Sequence, residues 1–288
     1  MRNYSIITDT CCDIPLELAQ ELKIIACPMN LAVGDKQYKD WLDKRELSNE
    51  EYFRQLRSGI VGTTSAVSIG DIQDAMIQKL EKGNDVLYLS FSSGMSTSYQ
   101  SATIAMNKIA EDYPNNKIVV VDTLCGCVGE AVAVYHACKQ RDQGKSLEEV
   151  VDYINELKMN IQHVFMLEDL KHIQKTGRIS KLTSIVAGIL NIRPIMNIDK
   201  NGEVMSAGKI RGRKAAIQHL ADRAINECTN SDVFFIANVD CSKDAETLKN
   251  LVQAKFPNAH IVVGYTGVVM SNNTGPDALA IGFVGQPR

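Results

Sequence analysis

At 288 residues the chain is longer than a single hydrophobic core usually grows, so two domains are expected. A net charge of −3 argues against a general nucleic-acid binder, whose affinity rests on many lysine and arginine contacts to phosphate. No run approaches the ~18 consecutive apolar residues of a membrane span. The N-terminus also lacks the basic region, apolar stretch and cleavage site of a secretory signal, so no membrane insertion and a cytoplasmic location are expected.

The first half alternates short apolar runs with amphipathic stretches. Tyr4–Ile7, Lys23–Cys27, Val86–Leu89 and Ile118–Val121 read as strands buried on both faces, because their hydrophobicity is continuous rather than alternating. Helices are expected over Pro15–Leu22, Ile69–Glu81, Tyr99–Ala110, Gly129–Asp142 and Leu147–Leu157. Such alternation implies right-handed crossovers and a parallel sheet covered on both sides, with ligands gathering at the carboxyl ends of its strands. Thr8-Asp9-Thr10, Ser90 to Ser93 and Asp122-Thr123 fall at those ends. The polar stretch Val33–Glu50 reads as an insertion with little regular structure.

Two edges in this half are rich in hydroxyls and open into helices. Gly62-Thr63-Thr64-Ser65-Ala66-Val67-Ser68 is one, with Ser68 and Asp71 spaced as a helix cap. The other is Ser92-Ser93-Gly94-Met95-Ser96-Thr97-Ser98. A strand, a polar turn and a helix N-terminus direct free N–H groups and hydroxyls at one small volume, which suits a carboxylate or a phosphate. Asp9 and Asp122 have no neighbouring acidic or histidine cluster, so loop support is favoured over metal binding. The eight cysteines, Cys11-Cys12 and Cys125-Gly126-Cys127 included, lack zinc-ligand spacing and read as reduced, buried thiols. No metal or other cofactor is expected.

A boundary near residues 158–166 separates domains of 1–160 and 161–288. In the second, a helix is expected from about Lys181 to Asn191. Ile195–Ile198 and Glu203–Lys209 follow as strands flanking Asp199-Lys200-Asn201-Gly202, whose Asn-Gly is a strong hairpin signal. Val233–Ala237 and His260–Val263 bracket a helix over about Lys243–Lys255, completing a helix-backed mixed sheet. Lys209, Arg211, Arg213 and Lys214 form a basic cluster, by default a solvated face.

The order of motifs resembles the DegV family: Ile7-Thr8-Asp9, then Thr64-Ser65 with Ser68, Ser92-Ser93-Gly94-Met95-Ser96 with Tyr99-Gln100-Ser101-Ala102, and Val121-Asp122-Thr123. Leu170, Thr176-Gly177-Arg178-Ile179, Arg193-Pro194-Ile195, Gly202, Lys209-Ile210-Arg211 and Asn273-Thr274-Gly275-Pro276 continue it. The resemblance implies a two-domain α/β protein, an N-terminal three-layer α/β/α domain with a parallel sheet and a C-terminal two-layer domain with a mixed sheet. A tunnel between them would enclose one long-chain fatty acid. It implies a non-catalytic carrier that presents the acid to a separate fatty-acid kinase. By position, Thr64 and Ser93 would hold the carboxylate, with Ser65, Ser96, Asn273 and Thr274 nearby. Arg178 would lie near the head group and Arg211 at a kinase-docking face. Where the family usually places a histidine, this chain has Asn273, a neutral amide.

An acyl tail of fifteen or so methylenes gains on the order of 12 kcal/mol on leaving water, before ordering costs. The polar end must then supply partners for a buried carboxylate. Tail lining is expected from Met95, Ile185, Val186, Ile189, Leu190, Ile195 and Val268-Val269-Met270. The competing reading is a serine-dependent lipid or ester hydrolase using Ser93 or Ser96. The chain has neither a G-x-S-x-G elbow nor a histidine spaced to serve as its base.

Overall fold

The computed structural model describes residues 3–179 and 191–288. The expected helix near Lys181 and the tail-lining Ile185, Val186, Ile189 and Leu190 lie outside the described residues.

The first half is built on four parallel strands, β1 (Tyr4–Asp9), β2 (Ile25–Cys27), β6 (Asp85–Ser90) and β7 (Ile118–Asp122), in the order β2-β1-β6-β7. Every residue of β1 and β6 is buried, as continuous apolar runs require of a sheet covered on both faces. Helices α3 (Ile69–Leu80) and α4 (Ser98–Ile109) cover one face. On the other lie α5 (Cys127–Asp142) and α6 (Leu147–Leu157). Ser68 caps α3 through the Asp71 N–H, and Ser146 with Glu149 forms a full capping box on α6.

The polar excursion departs from expectation. β3 (Met29–Val33), β4 (Lys36–Asp40) and β5 (Thr63–Ser65) make a small antiparallel sheet in the order β4-β3-β5, and α2 (Asn49–Arg57) lies between β4 and β5. Its strands are short and half-exposed, so they carry no long apolar run to announce them.

The second half contains a six-stranded mixed sheet ordered β10-β9-β8-β13-β11-β12. Its strands are β8 (Ile161–Met166), β9 (Ile192–Ile198), β10 (Val204–Arg211), β11 (Cys228–Asn238), β12 (His260–Tyr265) and β13 (Leu279–Gly285). The Asn-Gly signal marks the β9–β10 hairpin as expected. Helices α8 (Arg213–Glu227) and α9 (Ser242–Lys255) back one face. The other face packs on α5, which is buried from Cys127 through Cys138 because it is sandwiched between the two large sheets. A Cβ at Gly282 on β13 would stand 2.5 Å from the Val128 carbonyl oxygen, so glycine is what lets helix and strand meet there.

Candidate functional site

Between the first half and the inner face of the mixed sheet lies a cavity of about 840 Å³, counting its mouth. Met29, Phe91 and Met95 contribute apolar wall from the first half, and Phe165, Ile198, Val204, Ala237, Val269, Met270 and Ala280 from the second. Of the residues expected to line a tail, Met95, Val269 and Met270 do so. Ile195 does not: strand alternation turns it to the opposite face, where it packs with Val164 and Met166 under α8. Val268 is buried beside the cavity without lining it.

The polar wall joins Thr64, Ser65, Ser96 and Arg178 to Thr266, Asn273 and Thr274. These residues are far apart in sequence, and helix α10 (Val268–Thr274) unites them. Its N-cap, Gly267, has no side chain to offer, so carboxylates of the first half take over. Gly267 donates its N–H to Asp13 Oδ1 at 2.8 Å and Val269 donates to Asp40 Oδ2 at 3.2 Å, with Lys44 Nζ 2.6 Å from Asp40 Oδ1.

Near the other end of α10, the buried Asn272 grips the backbone of Gly62 beside β5. Its Oδ1 accepts from the Gly62 N–H at 2.7 Å and from the Tyr52 hydroxyl at 2.6 Å, and its Nδ2 donates to the Gly62 carbonyl at 3.1 Å. Arg57 on α2 adds an outer tie, reaching both Asp240 and Asp277. With both ends of α10 anchored, Asn273 and Thr274 share one wall with Thr64 and Ser65. Asn273 Nδ2 donates to the Val269 carbonyl at 2.9 Å, and its Oδ1 is buried without a protein partner. The Thr274 hydroxyl donates to the Met270 carbonyl at 3.0 Å.

The serine turn divides its labour. Ser92 is buried and donates to the Gly202 carbonyl at 2.8 Å, docking the turn on the β9–β10 hairpin. A Cβ at Gly94 would lie 2.7 Å from the Asn201 carbonyl oxygen, and one at Gly202, where φ is +75°, would lie 2.0 Å from Ser92 Oγ. Both glycines are therefore required by that approach. Ser93 faces outward: it is exposed, its backbone N–H donates to Asp122 Oδ1 at 3.3 Å, and it is not part of the cavity wall. Ser96 is the serine of this turn that lines the cavity, just before α4, where its Oγ accepts from the Ser98 N–H at 3.2 Å. Its hydroxyl pairs with the Ser98 hydroxyl at 2.9 Å.

Arg178 is exposed at the rim, donating to the Thr176 carbonyl. Arg211 is exposed on β10, away from the wall, whereas Arg213 of the same basic cluster is tied to Glu168 and Asp244. Asp9 supports loops, accepting from the Cys11 and Phe91 N–H groups at 3.1 and 2.9 Å. Burial pushes its carboxyl up to about 7. Asp122 likewise accepts from Leu124 and Ser93. Among the described residues no group of three or more His, Cys, Asp or Glu is placed to hold a metal ion.

Several wall residues carry no functional signal in the sequence. Cys11 and Cys127 are in the wall as apolar surface, since burial holds both thiols well above their ordinary range. His163, Phe165 and Ala280 also belong to it, on strands that the apolar pattern did not resolve.

A family model described as "Uncharacterised protein, DegV family" matches residues 3–286. The chain belongs to the DegV family. A DegV domain-containing protein of Clostridium perfringens is 32% identical over 100% of this chain and 99% of its own. Among solved structures, this DegV chain is similar to one from Thermus thermophilus described as "Fatty Acid Binding of a DegV family Protein", with a TM-score of 0.86, 26% identity and coverage of 99% and 100% of the two chains. The Streptococcus pneumoniae Fatty Acid Kinase (Fak) B3 protein loaded with linoleic acid shares the fold, with a TM-score of 0.85, 24% identity and coverage of 99% and 100%. Among the described residues no helix is long and apolar enough to cross a membrane.

Proposed function

We propose that this DegV protein binds one long-chain fatty acid non-covalently and presents its carboxylate to a separate fatty-acid kinase, taking no catalytic part itself. The observation that carries the reading is the cavity: a mostly apolar wall whose polar members, Thr64, Ser65, Ser96 and Asn273, come from both halves. Burying the acyl tail supplies about 0.8 kcal/mol per methylene, and the hydroxyls keep the carboxylate from being buried without partners. Thr64, Ser65 and Ser96 are the donors in this assignment. The second N–H of the Asn273 amide is a further one, and Thr274 frames the site because its proton goes to a backbone carbonyl. Ser93, turned outward, takes no part in holding the carboxylate in this assignment. Arg178 at the rim lies where it can meet an incoming phosphoryl group, and Arg211 supplies cationic surface for the partner. The relatives loaded with fatty acids support the assignment of ligand class.

Lipid extraction of the purified protein followed by mass spectrometry tests the reading. A fatty acid at about one per chain is expected, and so is at least a tenfold loss of retention in the Thr64→Ala, Ser96→Ala double variant. Acyl phosphate should form from the loaded protein with ATP only after a fatty-acid kinase is added. Unchanged retention in the double variant would remove the head-group assignment, and covalent capture of Ser96 by a fluorophosphonate would replace the carrier with a hydrolase.

A further inference from the structure

We infer that Gly126 decides how long an acyl chain the cavity admits, by letting the Phe91 ring stand back from it. The inference rests on the fatty-acid reading and adds to it the pair of residues that sets chain length.

Phe91 leads from β6 into the serine turn, is buried, and borders the cavity. Its backbone is pinned on both sides. The Phe91 N–H donates to Asp9 Oδ2 at 2.9 Å and its carbonyl accepts from the Ser90 hydroxyl at 3.1 Å, while the next N–H, that of Ser92, donates to the Cys125 carbonyl at 2.8 Å. That last bond sets the turn beside Gly126, the N-cap of α5. A Cβ at Gly126 would lie 2.3 Å from Cε2, 2.8 Å from Cζ and 3.0 Å from Cδ2 of Phe91, so the ring rests in the space that a side chain there would fill.

The backbone does not call for this glycine. Gly126 has φ −155° and ψ 168°, an extended conformation open to any residue, whereas Leu124 and Cys127 on either side stand at φ +52° and +47°, in the left-handed region where glycine would be the cheaper choice. Capping does not call for it either. At an N-cap, Ser, Thr, Asn or Asp would bond a free N–H of the first turn, and α5 has no such side-chain bond. What remains is the Phe91 ring. With the backbone of Phe91 held, a methyl group at 126 is relieved by turning the ring, and the open volume which that ring borders is the cavity. Only the far end of one side chain has to move, so the change is felt as lost room for the tail more than as lost stability.

The test measures the affinity of the purified full chain, stripped of lipid, for saturated acids from tetradecanoate to docosanoate. Each methylene that finds room should tighten binding about fourfold, and the rise should stop where the room ends. In Gly126→Ala the stop should come about two carbons earlier than in the unaltered chain. In Phe91→Ala it should come later, and the double variant, where the methyl group meets no ring, should follow Phe91→Ala. Because the reading compares chain lengths on one protein, a loss of stability does not imitate it, and Phe91→Ala decides by itself if Gly126→Ala does not fold. A stop that does not move in Phe91→Ala or in folded Gly126→Ala overturns the inference and leaves the fatty-acid reading standing, as does a shortening that persists in the double variant. Failure of the unaltered chain to bind any of these acids overturns both.

Discussion

Along and just before β13, the side chains directed at α8 and α9 are Leu279, Ile281 and Phe283, whereas those facing the first half are Ala278, Ala280 and Gly282. The same alternation of direction runs through β11, where Phe234 and Ile236 look outward and Val233, Phe235 and Ala237 inward. On β13 the outward positions carry large side chains and the inward ones only methyl groups and hydrogen, and Ala237, Ala278 and Ala280 line the cavity. Buried on the side of the first half are Asp13 and Asp40, which hold the N-terminus of α10. A sheet can thus put stability on one face and a ligand on the other, with strand alternation keeping the two apart.

The outer face should give the largest effect on stability. Phe283→Ala removes a fully buried ring that packs against Phe234, and a loss of about 3–5 kcal/mol is expected in denaturant unfolding. Retention of fatty acid per folded molecule should not change. If retention falls with stability, the two faces are not independent.

A smaller effect comes from the inner side, through pH. Burial pushes the Asp13 carboxyl up to about 7, with Lys44, Asp40 and the Cys127 thiol as its charged or titratable neighbours. Its ordinary value is 3.8, so between pH 4 and 7 the folded state holds a proton that the unfolded chain has released, and stability falls as pH rises through that window. In Asp13→Asn this loss disappears. The variant should gain on the unaltered protein by up to about 3 kcal/mol between pH 4 and pH 8, measured as the difference of two unfolding curves. Comparing the curves cancels Asp9, which has the same sign, and His136, which has the opposite one because burial lowers it to about 4. A constant difference across the window would show that Asp13 is ionised in the folded protein.

Smaller again is the cost at the seam between the halves. Asn272→Ala leaves the Gly62 peptide and the Tyr52 hydroxyl without their common partner, at roughly 2 kcal/mol. Because Asn272 sets β5 against α10, discrimination between a fatty acid and the alcohol of the same length should also fall. An unchanged acid-to-alcohol ratio would reduce Asn272 to a brace with no bearing on the head-group site.

How far this division is legible in the sequence depends on contrast between neighbours. The parallel strands stand out because their apolar runs are bounded by polar turns, and the β9–β10 hairpin because Asn-Gly suits a tight reversal. β8 and β13 do not stand out: in β13, Ala-Leu-Ala-Ile-Gly-Phe alternates in size but not in polarity, and size is not what hydrophobic periodicity measures. The hydroxyl-rich turns read as an anion-receiving edge, and the resemblance to the DegV family implies Ser93 as ligand with Ser96 beside it, whereas Ser96 is the one that lines the cavity. Which serine turns inward is decided by Ser92 docking on Gly202, a contact 110 residues distant. The same holds for His163, whose place in the wall follows from its register with Gly282.

The smallest expected change in stability tests the division most directly. Ala280 lines the cavity, so Ala280→Leu adds three carbons to empty space and not to a filled core. Stability should move by less than about 1 kcal/mol in either direction, against the 1–3 kcal/mol usual when a packed interior is overfilled. Fatty-acid retention should fall at least tenfold, because the new side chain occupies volume that the tail needs. The same exchange of small for large at Ala221 on α8, which is fully buried in the outer cluster, should reverse both results: stability lost, ligand kept. If instead Ala280→Leu destabilises as strongly as the change at Ala221, the inner face is as tightly packed as the outer. The cavity would then have no room for an acyl chain.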